Sequence, residues 1–316
     1  MAAAKSTVRS ISQQAFNEMV QENIDDLDMD PAEALADAIE TLTLQGVDLS
    51  GIVTDTLPGE TNPVIHSIDR IKQLQLLDWT DVDEVLGLLD GLGELLRVEG
   101  SGNGAIGARN GGVEVMCEVC LKARAGGCGS VLVKGLDALA AFLLDLQSTE
   151  TFRQRGGPKM LIEILNKETE NVNILNSVFS VVAAASTGNE VIKESFVELH
   201  IDELIVTIMK KHTKGSIPSL YDAIRVLLAA DDNRVVASQV YGYARQFAKV
   251  GIAEALVESL KDGISSPGLV SATIALKAVA VNVSANFPNA SEIFALCVYE
   301  LYLFPVIAKN FKLCAK

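Results

Sequence analysis

Aromatic side chains are scarce in this chain: tryptophan occurs once in 316 residues and aromatics make up 5%, although 49% of the sequence is apolar. A core must then be filled by Leu, Ala and Val, which suits helices packed on helices. Export signals are also missing. The opening MAAAKSTVRS carries two positive charges but no apolar stretch behind it. A transit-peptide start is the lesser reading, because acids arrive by Glu18. Five cysteines, an odd number, then point to reduced thiols in the cytosol or nucleus. The Asn-X-Ser triplets at Asn282 and Asn289 carry no glycan meaning on that route. Lys and Arg are absent from residues 10–69, which hold thirteen acids and so account for nearly all of the net charge of −15. With the remainder close to neutral, no basic footprint exists for phosphates, which argues against direct nucleic-acid binding. Motifs of chemistry are lacking as well: no Walker loop, no nucleophile elbow and no H-E-x-x-H.

What is present is repetition. Four stretches, 103–147, 148–186, 187–230 and 231–281, each run from a glycine-marked turn through a short apolar helix to a longer Ala/Leu/Val helix. A helical period of about 40–50 residues is the mark of a stacked α-solenoid, in which each unit buries its apolar face only on its neighbours. Aligning the long helices brings Asp137, Phe179, Asp222 and Ile274 into register, followed four residues on by Ala141, Ala183, Val226 and Ala278.

Two helices are predicted ahead of the repeats by their stripes and caps. Ile11, Ala15, Phe16, Met19, Val20 and Ile24 share one face, with Ser12 as cap. Asp30, Pro31 and Glu33 open the second, whose stripe is Ala34, Leu35, Ala38, Ile39 and Leu42, and Gly46 ends it. A Pro/Gly-bearing linker follows at 54–63, then amphipathic helices over about 64–77 and 80–97. The expected organisation is an acidic helical segment with linker over 1–62, a helical pair over 63–102, about four repeats over 103–283, and a divergent tail over 284–316. That tail is aromatic-rich, and its apolar run 293–308 falls short of the roughly 20 residues a bilayer span needs.

Two motifs suggest chemistry and are better explained by structure. GNGAIG (102–107) matches the dinucleotide fingerprint, but that works only between a strand and a helix, whereas a leucine-rich helix precedes it here. Cys117 and Cys120 form a C-x-x-C with Cys128 nearby but no fourth ligand, so buried thiols acting as small hydrophobes are expected. His200 stands where other units carry Gly112, Gly157 and Gly251, which gives it a turn role. No cofactor or metal is expected.

The opening text ISQQAFNEMVQENIDDLDMDPAEALADAIETLTLQGVDLSGIV (11–53), together with DDNRV (231–235), resembles the armadillo repeat-containing protein 6 family. The resemblance covers residues 10–281 and implies an all-α, right-handed α-solenoid of three-helix armadillo repeats with a non-enzymatic protein-binding role. Family members continue with further repeats, so the chain reads as shortened at its C-terminus. The implied site is the concave groove, whose candidates are Asp137, Asp222, Arg225 and Lys277. An alternative is a transport adaptor that, like the nuclear import adaptors, reads basic peptides. Such adaptors carry a ladder of Trp and Asn on their third helices, and neither register here supplies one. The expected protein is a cytoplasmic or nuclear monomer that binds a protein partner, with no membrane and no direct nucleic acid.

Overall fold

The computed structural model describes residues 9–49, 52–54, 62–76, 82–212, 217–229, 237–262, 264 and 266–284. The tail beyond 284, most of the 54–63 linker and DDNRV lie outside the described residues.

The acidic front is a helical pair with its own small core. A two-residue strand β1 (Arg9–Ser10) leads into α1 (Gln13–Leu27) and α2 (Pro31–Leu44), and β2 (Val47–Asp48) returns parallel to β1. Ser12 caps α1 by accepting from the Ala15 N–H, and Asp30 caps α2 by accepting from the Ala32 N–H, satisfying amides that have no partner within the helix. The two predicted stripes face each other: Phe16, Val20, Ala34, Ala38 and Leu42 are buried in one cluster with Ile52. Asn23 crosses this core, donating to the Ala34 carbonyl at 3.3 Å and to Asp37 at 3.1 Å, so its buried amide is not left unsatisfied.

A pair, α3 (Pro63–Leu76) and α4 (Val82–Leu96), precedes four three-helix units. They are α5 (Asn103–Arg109), α6 (Gly112–Gly126) and α7 (Gly129–Phe142); then α8 (Leu146–Gln154), α9 (Gly157–Lys167) and α10 (Val172–Ser186). The third unit is α11 (Glu190–Glu198), α12 (Ile201–Lys211) and α13 (Pro218–Leu228), and the fourth α14 (Ala237–Lys249), α15 (Ile252–Asp262) and α16 (Ser266–Ser284). The closing helices of the units, α7, α10, α13 and α16, stack in that order after α4, each against the next. The greater length expected of them holds in the second and fourth units, but α7 (14 residues) falls short of α6 (15) and α13 (11) equals α12 (11). One continuous apolar core, from Val64 to Val279, runs through all units, as stacking of half-buried repeats requires.

The first and second helices of each unit meet at sharp turns that need a left-handed residue. Gly111, Gly156 and Gly251 hold φ of +86°, +72° and +89°, and His200 holds the same place at +57°. The turn role of His200 stands, but its counterparts are the glycines one position earlier than the Gly112 and Gly157 expected from alignment. Gly112 and Gly157 are instead the first residues of α6 and α9, pressed so closely that an added Cβ would lie 2.7 Å from Phe142 and 2.1 Å from Phe152. Among the described residues, no helix is long and apolar enough to cross a membrane.

Candidate functional site

The stacked long helices present one solvent-facing row per unit, and side chains link each row to the next. Asp90 of α4 pairs with Lys134 of α7 at 2.7 Å. Asp137 of α7 accepts from the Ser177 hydroxyl of α10 at 2.6 Å, and Ser180 of α10 meets Ser219 of α13 at 2.7 Å. Asp222 of α13 accepts from the Ser271 hydroxyl of α16 at 3.0 Å. In each case the partner stands three residues before the next helix's own rung residue: Lys134 before Asp137, Ser177 before Ser180, Ser219 before Asp222 and Ser271 before Ile274. A one-turn step of three residues keeps both on the same helix face, so one geometry repeats along the stack.

This ladder corrects the register expected for the second unit. Phe179 is fully buried, and Ser180 occupies the row that Asp137 and Asp222 define. The shift of one residue turns a side chain through about 100° on a helix, from the solvent-facing row to the core. The next row along is correspondingly Ala141, Ala184, Val226 and Ala278. The rungs themselves escaped the sequence reading, although K-x-x-D (134–137), S-x-x-S (177–180) and S-x-x-D (219–222) recur in it.

The four candidate residues fall on three helices of this face. Asp137 is exposed on α7; Asp222 and Arg225 are half-buried on α13, joined by an ion pair of 2.8 Å; Lys277 is exposed on α16. Two clefts separate them. One, between α4 and α7, gathers Asp90, Arg97, Lys134 and Asp137. The other, between α13 and α16, gathers Asp222, Arg225, Val270 and Ile274. The α10 surface between them is small and uncharged, with Asn176, Ser180, Ala183 and Ala184.

The motifs that hinted at chemistry are structural. GNGAIG forms the start of α5, preceded by helix α4 rather than by a strand. A Cβ at Gly107 would sit 2.3 Å from the Phe142 ring, and one at Gly104 would sit 2.8 Å from the Ala141 carbonyl oxygen. Those glycines let α5 lie against the end of α7. Cys117 and Cys120 are buried free thiols on α6. Burial, with Glu114 adding to it, pushes the Cys117 thiol up to about 12, and burial drives that of Cys120 upward too. Both are thus held protonated and poorly nucleophilic. No cluster of three or more His, Cys, Asp or Glu among the described residues is placed to hold a metal ion.

Three-helix units stacked through their long helices make this an armadillo-repeat α-solenoid. Within that class the similarity is to armadillo repeat-containing protein 6: residues 8–67 match the profile of that protein's N-terminal domain. Human Armadillo repeat-containing protein 6 is 26% identical over 287 residues, which cover 85% of this chain and 54% of that protein. The Drosophila melanogaster homolog is 27% identical over 248 residues, 75% of this chain and 52% of the homolog. The chain thus spans about half the length of the curated relatives it matches. Among solved structures, the crystal structure of an engineered protein superposes with a TM-score of 0.50 at 15% identity, covering 85% of this chain and 97% of the other. That likeness speaks for the fold alone.

Proposed function

We propose that the protein is a non-enzymatic interaction scaffold, monomeric and cytoplasmic or nuclear, which holds a protein partner on the concave surface formed by its long helices. The observation that carries this reading is the rung ladder. It ties five helices into one continuous face while leaving Asp137, Arg225 and Lys277 turned outward at intervals along it. Rigid spacing of polar and charged groups over several repeats is the property that solenoids use to select extended partner surfaces. The basic-peptide adaptor loses ground, because the corrected rows hold Asp137, Ser180, Asp222 and Ile274, then Ala141, Ala184, Val226 and Ala278. Neither row contains a Trp or Asn to clamp a peptide backbone.

Co-purification from cells of the wild-type chain and of a D137K/K277E variant tests the proposal. A stoichiometric protein partner that is recovered with the first and lost with the second supports it. Absence of any such partner, or equal recovery with both, overturns it. Titration with a Lys/Arg-rich peptide checks the adaptor reading, and no binding at low micromolar concentration is expected.

A further inference from the structure

The long helices are not equivalent along the stack, and the difference points to the chemistry of the partner. Three residues beyond the rung position, α7 and α10 carry Ala140 and Ala183, whereas α13 and α16 carry Arg225 and Lys277. The rung position itself changes from Asp137, Ser180 and Asp222 to Ile274. Ile274 is 46% exposed, and Val270, one turn before it, is 62% exposed. Both line the cleft of about 470 Å³ between α13 and α16, facing Ser219 and Arg225 across it.

Among the described residues here, Asp222 and Arg225 offset each other, and the exposed Lys277 beside the cleft tips the balance to one positive charge. Asp222 is already engaged: its Oδ1 accepts from Arg225 Nε at 2.9 Å and from the Ser271 hydroxyl at 3.0 Å. The guanidinium reaches Asp222 through only two of its nitrogens, Nε and Nη2, and has five N–H donors to offer. Lys277 stands exposed at the matching position of the neighbouring helix, a separation of roughly 8–10 Å for packed helices. Two cations at one register on successive helices, beside two exposed aliphatic side chains, form an amphipathic surface of defined sign.

We propose that the cleft between α13 and α16 receives a segment of a protein partner that combines acidic and aliphatic side chains. Its carboxylates meet Arg225 and Lys277, and an aliphatic side chain lies on Val270 and Ile274. This rests on the scaffold reading and narrows it to a site and a partner chemistry. The occupant is another molecule rather than the chain's own acidic front. The apolar faces of α1 and α2 are turned on each other, and Asp48 beside them pairs with Arg109 of α5, in the first repeat.

The test is to pan a random-peptide display library on the full chain and sequence what is captured. Enrichment of Asp and Glu next to Leu, Ile or Val is expected. Affinity for the enriched peptide, made synthetically, should fall roughly tenfold or more in R225E/K277E and in I274D, and persist in R225K/K277R. Because Arg225 also contacts Asp222, and Lys277 makes no ion pair among the described residues, K277E alone serves as the control variant; it should weaken binding severalfold with an unchanged melting temperature. Enrichment in Lys and Arg, or binding indifferent to K277E and I274D, overturns the cleft assignment and leaves the scaffold reading standing. Capture of no peptide by any variant overturns both.

Discussion

Replacing Phe179 and Ser180 one at a time separates core from solvent-facing row at adjacent positions and so tests the corrected register. Phe179 is fully buried on the helix sandwiched between α7 and α13, and its ring packs in the continuous core. Truncation of a buried Phe to Ala typically costs 3–5 kcal/mol, the larger values where the surroundings cannot collapse. With a long helix on either side, α10 has little freedom to close the void, so Phe179→Ala should cost about 4 kcal/mol. Ser180→Ala removes one hydroxyl–hydroxyl bond at a half-buried position where Ser219 can turn to water, a loss of about 1 kcal/mol or less. Urea unfolding followed by far-UV circular dichroism measures both. Hydrogen exchange on α10 should accompany it, because repeat arrays can open unit by unit. Comparable losses for the two variants, or a Phe179→Ala loss below about 1 kcal/mol, would refute the register and with it the rung geometry.

Three further outcomes are expected. His200→Gly should stabilise the chain by about 0.5–1 kcal/mol, since a left-handed residue with a Cβ is strained by more than glycine's extra chain entropy; a lower urea midpoint in the variant argues against it. Lys193 is fully buried, with its ammonium donating to Glu190 at 3.0 Å and to the Ala229 carbonyl at 2.8 Å. Lys193→Ala should therefore cost about 3 kcal/mol by leaving both partners without their cation, and a loss under about 1 kcal/mol would show the contact to be dispensable. Ellman's reagent near pH 8 should label Cys128 ahead of Cys117 and Cys120, whose thiols burial holds protonated. The sign for stability follows: thiols in the unfolded chain ionise from about pH 8.5 while the buried pair does not, so stability falls as pH rises above that value. A Cys117→Ala/Cys120→Ala variant should lose that alkaline slope, and an unchanged slope would count against the assignment.

Much of the architecture was legible because it is local. Caps at Ser12 and Asp30 and the 3.6-residue stripes of α1 and α2 depend on neighbours in sequence, and these helices form where they are predicted. The four-unit period was legible for the same reason, since each unit repeats one arrangement of turn, apolar helix and Ala/Leu/Val helix. Alignment by similarity nevertheless placed Phe179 beside Asp137 and matched His200 to Gly112 and Gly157, both one residue off, while its match to Gly251 holds. A helix position is decided by what lies across from it, and the opposing residues Ser219 and Ser177 stand some 40 places away in sequence. The glycines of GNGAIG show the same limit. Their spacing imitates a phosphate loop, and only the approach of Phe142 and Ala141 from α7 reveals that they make room for packing. The amino-acid sequence by itself thus determined the all-helical character, the period of the units and the acidic front, all set by short-range propensity and charge, whereas it displayed only two of the three helices in each unit. The tertiary structure alone decided which residue of each closing helix lies in the solvent-facing row, how the rungs join one unit to the next, and that Arg225 and Lys277 stand beside the exposed Val270 and Ile274. Those depend on contacts between distant segments that no local pattern encodes.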